Sequence, residues 1–149
     1  MSSTRTIIAV RNKGGTGKTS TIRELAKLVL QTYPNHISIF AKPISVPPRG
    51  DFRLVIKIKK KTIAFESKGD PNTDLGDRLL YLANNYEADV IFCTTRTSGG
   101  TVDAVENLRI NKGFDTVWTS TYQTGSNHGV VNQLKAKHIL DLSGLLSIL

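Results

Sequence analysis

The sequence predicts an α/β fold in which a mainly parallel sheet carries helices on both faces and includes one basic antiparallel hairpin. Three observations predict it. Short β-rich runs alternate with segments whose apolar residues recur at helical spacing, the pattern of strand–helix–strand units. The run "ADVIFCTT", residues 88–95, is apolar almost throughout, as in a strand covered on both faces. In "DFRLVIKIKKKTIAFES", residues 51–67, Phe52, Leu54, Ile56 and Ile58 alternate with Arg53, Val55, Lys57 and Lys59. That alternation fits a strand exposed on one side, turning at the lysines and running back as "KTIAFES".

The elements follow in chain order. "TRTIIAV", residues 4–10, is a first short strand. After a glycine-rich loop, Ile22, Leu25, Ala26 and Val29 fall on one face of a helix over 19–32, which Tyr33-Pro34-Asn35 ends. "HISIFAK" is a second strand, and Pro43, Pro47, Pro48 and Gly50 mark an irregular connection to the hairpin. Leu75, Leu79, Leu82 and Ala83 predict a helix over 74–86, with Asn72, Thr73 or Asp74 as its N-cap. The buried strand "ADVIFCTT" precedes Gly99-Gly100 and a helix through "TVDAVENLRI". "FDTVWTSTY" is the last strand, and a helical region with a break expected at Ser143-Gly144 closes the chain. Neither an internal repeat nor a low-complexity tail is present.

A chain of 149 residues is the size of one domain, 1–149, and a domain of that size buries roughly two thirds of its unfolded surface without disulfides or metals. No apolar run approaches the ~20 residues that span a bilayer, and Met1-Ser2-Ser3-Thr4-Arg5 leads straight into a strand. A soluble, cytoplasmic protein is expected, with no membrane partner. Cys93 lies within a buried strand and is given no chemistry, and His36, His128 and His138 lack partners at ligand spacing.

A net charge of +8 favours acidic partners. Part of the excess is local, because Arg49, Arg53, Lys57, Lys59, Lys60 and Lys61 are opposed only by Asp51. Edge lysines that discourage sheet aggregation account for this cluster. Nucleic-acid contact through the same six residues is the competing reading, and it stands second because Phe52 is the one aromatic among them.

The loop within "IIAVRNKGGTGKTSTIRELAKLV", residues 7–29, carries the chemistry. A strand ending in a glycine-rich turn that feeds a helix points several backbone N–H groups and the helix dipole at one spot, which suits phosphate. Gly14, Gly15 and Gly17 allow the close approach, with Thr16 and Ser20 in the same loop. Lys18 can reach the β- and γ-phosphates, and the Thr19 hydroxyl is placed for Mg²⁺. The standard spacing G-x-x-x-x-G-K-[ST] would need glycine where Asn12 stands.

"KGGTGKTS", preceded by "IIAV" and followed by "TIRELAKLV", resembles the deviant Walker A loop of the ParA/MinD ATPases, K-G-G-x-x-K-[ST]. In that pattern a lysine ahead of the glycine pair is the signature, and Lys13 occupies its place. The resemblance is strong over residues 4–32 and weaker over 60–122. It implies a P-loop NTPase three-layer sandwich, ATP and Mg²⁺ as cofactors, and a homodimer in which Lys13 reaches the partner's nucleotide. It also implies that "TIAFESKGD" supplies Glu66 to the Mg²⁺ water shell and the Gly69 N–H to the γ-phosphate, with Asp70 as an alternative metal or water-orienting group. Glu66 and Asp70 are expected at the end of a strand that neighbours the P-loop strand. "DVIFCTTRTSGGTVDAVENL" resembles the family's next strand and helix, with Arg96 placed either to meet phosphate or an acidic substrate or to form a surface ion pair.

Two departures stand beside the likeness: "HISIFAKP" holds no carboxylate where the family positions its attacking water, and "STYQTGSN" replaces the adenine-contacting pair. The resemblance therefore implies an ATPase switch with nucleotide-dependent dimerisation. The alternatives are a phosphotransferase acting on a nucleoside, a nucleotide or a nucleic-acid end, with Asp70 or Glu66 as base and Arg96 as clamp, and a nucleotide-dependent binding module with little turnover. The C-terminal "HILDLSGLLSIL" is read as a helix docking on the sheet, since Lys135, Lys137 and Asp141 suit a membrane-targeting face poorly.

Overall fold

The computed structural model describes residues 5–11, 18–42, 50–68, 74–96, 98–120 and 128–145. The elements are β1 (Thr6–Arg11), α1 (Lys18–Thr32), β2 (Ile37–Lys42), β3 (Arg53–Ile58), β4 (Lys61–Glu66), α2 (Leu75–Asn85), β5 (Val90–Thr95), α3 (Gly100–Lys112), β6 (Asp115–Thr119) and α4 (His128–Leu145). Their sequence runs form one mixed sheet in the order β2-β3-β4-β5-β1-β6. β1 runs parallel to β5 and β6, and β4 runs parallel to β5. β3 is antiparallel to both β2 and β4, so it is the one reversed strand of the six.

Side-chain alternation along the strands divides the core into two layers. On one face Ile22, Leu25, Ala26 and Val29 of α1 and Ala136 and Ile139 of α4 pack against Ile8, Val10, Ile56, Phe65 and Phe92. Phe65 and Phe92 are register neighbours and stack at 5.2 Å between centroids. On the other face Leu79, Leu82 and Ala83 of α2 and Val105 and Leu108 of α3 cover Ile7, Ala9, Val55, Ala64 and Ile91. β5 is buried along its whole length, as its apolar run requires. Gly113 closes α3 at φ 73, a left-handed cap that glycine adopts without steric cost, and donates its N–H to Leu108 O.

Three expectations change and one is refined. Val55 is fully buried, so the centre of β3 is covered on both faces and only its turn end, at Lys57, is exposed. α4 passes through Ser143-Gly144 without a break before Leu145. Asp74, one of the three N-cap candidates, is the N-cap of α2, but at φ 56 and without a side-chain cap bond; its carbonyl accepts the Arg78 N–H at 3.0 Å. The last concerns the site: the strand that ends in Glu66 does not flank β1, because β5 lies between them. Among the described residues no helix is long and apolar enough to cross a membrane.

Candidate functional site

The carboxyl ends of parallel strands, with the helix N-termini that follow them, form the edge where an open α/β sheet offers a crevice. β1 and β5 end there at Arg11 and Thr95, and α1 and α3 begin there. Because β3 is reversed, its amino end comes to this same edge, beside the end of β4. Asp51 and Phe52 thereby meet Ser67.

Ser67 is 1% exposed and organises the junction. Its N–H donates to Phe52 O at 3.2 Å, and its hydroxyl accepts the Phe52 N–H at 2.8 Å and lies 3.2 Å from Asp51 Oδ1. Its carbonyl accepts the Thr94 hydroxyl at 2.8 Å. Thr19, in the first turn of α1, completes the group, with Oγ1 3.3 Å from Asp51 Oδ1 and 3.4 Å from Ser67 O. One helical turn on, the buried Arg23 donates to Gly50 O at 3.0 Å, holding the backbone next to Asp51. Arg23 Nε is buried with no hydrogen-bond partner among the described residues.

Glu66 lies on the opposite face of β4 from Ser67 and is 3% exposed. One carboxylate oxygen accepts Arg53 Nε at 2.6 Å and the other accepts Arg78, so both are engaged by guanidinium groups. Arg78 also donates to Lys68 O at 2.7 Å. The buried Cys93 is close by, and burial, with the Glu66 charge added, pushes its thiol well up, so the sulfur stays protonated and weakly nucleophilic. A cavity of about 740 Å³ opens beside this cluster, walled by Phe40 and Phe52, with the acids Asp51 and Glu66 and the cations Arg53, Lys68 and Arg78.

The predicted site residues divide as follows. Thr19 and Ser20 lie in the first turn of α1, Glu66 ends β4 and the half-buried Arg96 follows β5. The Arg96 N–H donates to Thr101 Oγ1 at 2.9 Å, tying the strand end to the first turn of α3. Lys13, Gly14, Gly15, Thr16 and Gly17, the Lys18 side chain, Gly69, Asp70 and Arg49 lie outside the described residues. The basic stretch does not act as one patch. Arg53 turns to Glu66 at the α1 edge of the sheet, whereas Lys57, Lys59 and Lys60 are exposed at the far end, around the β3–β4 turn.

Asp51, Ser67 and Arg23 were not singled out from the sequence. The hairpin itself carried the signal: if β3 and β4 turn at the lysines, their other ends must meet at the loop edge, and Asp51 is there.

The Thr19 hydroxyl, Asp51 carboxylate and Ser67 oxygens are hard donors of the kind Mg²⁺ accepts. Among the described residues no group of three or more His, Cys, Asp or Glu side chains is gathered to hold a metal. Comparison of the chain with known protein families, with curated proteins and with solved structures finds no match.

Proposed function

We propose that the chain binds a nucleoside triphosphate with Mg²⁺ at the N-terminus of α1, ATP by the K-G-G resemblance, and works as a nucleotide-dependent switch of the ParA/MinD kind. The observation that carries the reading is the approach of Thr19 to Asp51 at the start of α1. A hydroxyl at that position of a phosphate loop ligates Mg²⁺, and a carboxylate beside it holds the metal's water shell. The glycine-rich loop cradles the phosphates, Lys18 takes the β- and γ-phosphates, and Mg²⁺ offsets their charge. In this reading Asp51 takes the role the resemblance gave to Glu66, whose two oxygens are already bound to arginines. Lys13 reaches the partner's nucleotide in a homodimer.

A second reading, phosphoryl transfer, is favoured by one feature. The cavity opens on Asp51, so an acceptor bound there would have a carboxylate between it and the start of α1.

Calorimetry and light scattering with ATP and Mg²⁺ separate these outcomes. Lys18→Ala should lose nucleotide binding, and Lys13→Ala should keep binding but lose ATP-dependent dimerisation. A wild-type protein that ignores millimolar ATP·Mg²⁺ would overturn the assignment; one that stays monomeric and phosphorylates an acceptor would select the second reading. Nucleic acid, if it is the partner, meets Lys57, Lys59 and Lys60. Neutralising these three should reduce the salt slope of binding by about 3 for duplex DNA.

A further inference from the structure

We propose that the cavity beside Glu66 is a second ligand site, built for a phosphomonoester that also bears a planar ring, as a nucleoside monophosphate does, with the phosphate on Arg53 and Lys68 and the ring against Phe40. The proposal goes beyond the triphosphate reading and does not depend on it, because Arg53, Lys68 and Phe40 have no role in that site, although Asp51 lies where the two adjoin. The volume of about 740 Å³ falls within the ~300–1,000 Å³ of small-molecule sites and far exceeds what a lone ion fills.

Arg53 is set for such a ligand. Its Nε is committed to Glu66 at 2.6 Å, and its guanidinium lies over the Tyr81 ring at 5.6 Å. Those two contacts fix the fork, while its terminal nitrogens have no other partner among the described residues. A fixed guanidinium binds a phosphate through paired hydrogen bonds with little ordering cost. Arg78, bound to Glu66, also donates to the Lys68 carbonyl at 2.7 Å and so fixes the backbone of the exposed Lys68, which lines the cavity. Three cationic side chains face two acidic ones, leaving the cavity one positive charge in excess. Phe40 supplies a half-buried aromatic wall, itself packed on Tyr86 at 6.0 Å. Asp51, at the α1 side, repels an anion and so orients the phosphate toward Arg53.

The test is ¹⁵N-resolved titration of the whole chain, presaturated with ATP·Mg²⁺, using AMP, adenosine and inorganic phosphate as probes. AMP should shift the Phe40, Arg53 and Lys68 amides saturably, with adenosine and phosphate each binding at least tenfold more weakly. Lys68→Gln and Phe40→Ala, on the rim and wall, should each weaken AMP at least threefold; the folded spectrum checks each variant. Shifts confined to residues 18–20, AMP affinity unchanged in both variants, or no saturable shift at 10 mM would overturn the site. The ATP·Mg²⁺ step is read separately at the Thr19 to Thr21 amides, so failure there leaves the cavity result standing, and the reverse holds too.

Discussion

Thr19 Oγ1 lies 3.3 Å from Asp51 Oδ1, across thirty-two residues of chain. Neither residue reaches the other by local structure. α1 supplies the hydroxyl from its first turn, and the reversed direction of β3 supplies the carboxylate from its amino end. The Ser67 hydroxyl then donates to the same carboxylate oxygen at 3.2 Å, and Arg23 holds the neighbouring Gly50 carbonyl at 3.0 Å.

The pair should govern metal-dependent affinity. Thr19→Val and Asp51→Asn are each expected to weaken ATP·Mg²⁺ binding by about tenfold, ~1.4 kcal/mol, with much less change for ATP in EDTA. Calorimetry in both buffers checks this, and equal losses with and without Mg²⁺ would assign the pair to structure alone.

Glu66 should matter more to stability than to binding at α1. Removing it leaves two partly buried guanidinium groups without their shared carboxylate, so Glu66→Ala is expected to cost about 3–5 kcal/mol in urea unfolding. Lys18-dependent ATP binding by the folded fraction should be unchanged. A loss below 1 kcal/mol would mean that water replaces the carboxylate with ease.

The hairpin turn carries local strain. Lys59 sits at φ 57 in the two-residue turn between β3 and β4, where an L side chain pays a steric penalty that glycine avoids. Lys59→Gly is expected to raise stability by about 0.5–1 kcal/mol, since the relief exceeds the added chain entropy. A drop in the thermal midpoint would show that the lysine's own contacts outweigh the backbone term.

Lys135 gives the fold an alkaline signature. It is buried between α4 and β6, its Nζ donates to Thr119 Oγ1 at 2.6 Å, and burial lowers its pKa. The folded state therefore releases the proton at lower pH than the unfolded chain does. Between the lowered value and the unfolded value of about 10.4 the unfolded state binds more protons, so stability from this group rises with pH across that window. Urea midpoints for wild type and Lys135→Met should converge or cross as pH rises toward 10, the rise being confined to wild type; parallel curves would place the ammonium in a solvated setting.

The helices and strands were legible because each depends on its own residues. Ile22, Leu25, Ala26 and Val29 define α1 by spacing alone, and the unbroken "VIFCTT" defines β5 by composition. Strand order was not legible, since it depends on which faces α1 to α4 can cover together. The expectation that Glu66 flanks β1 failed there, with β5 between the strands. The glycine-rich loop is a motif of the sequence, and its residues 12–17 lie outside the described ones. Asp51 was not legible, because a single carboxylate in a basic stretch gains meaning only from the direction of the strand it begins.

That reversed strand separates the molecule into two electrostatic districts. Six residues of β3, at ~3.3 Å each, put the Lys59 turn roughly 20 Å or more from Asp51, at least about two and a half Debye lengths at physiological salt. A polyanion resting on the turn would be nearly invisible, through the field alone, to a phosphate chain at α1. Coupling between the two ends would have to pass along the paired strands β3 and β4.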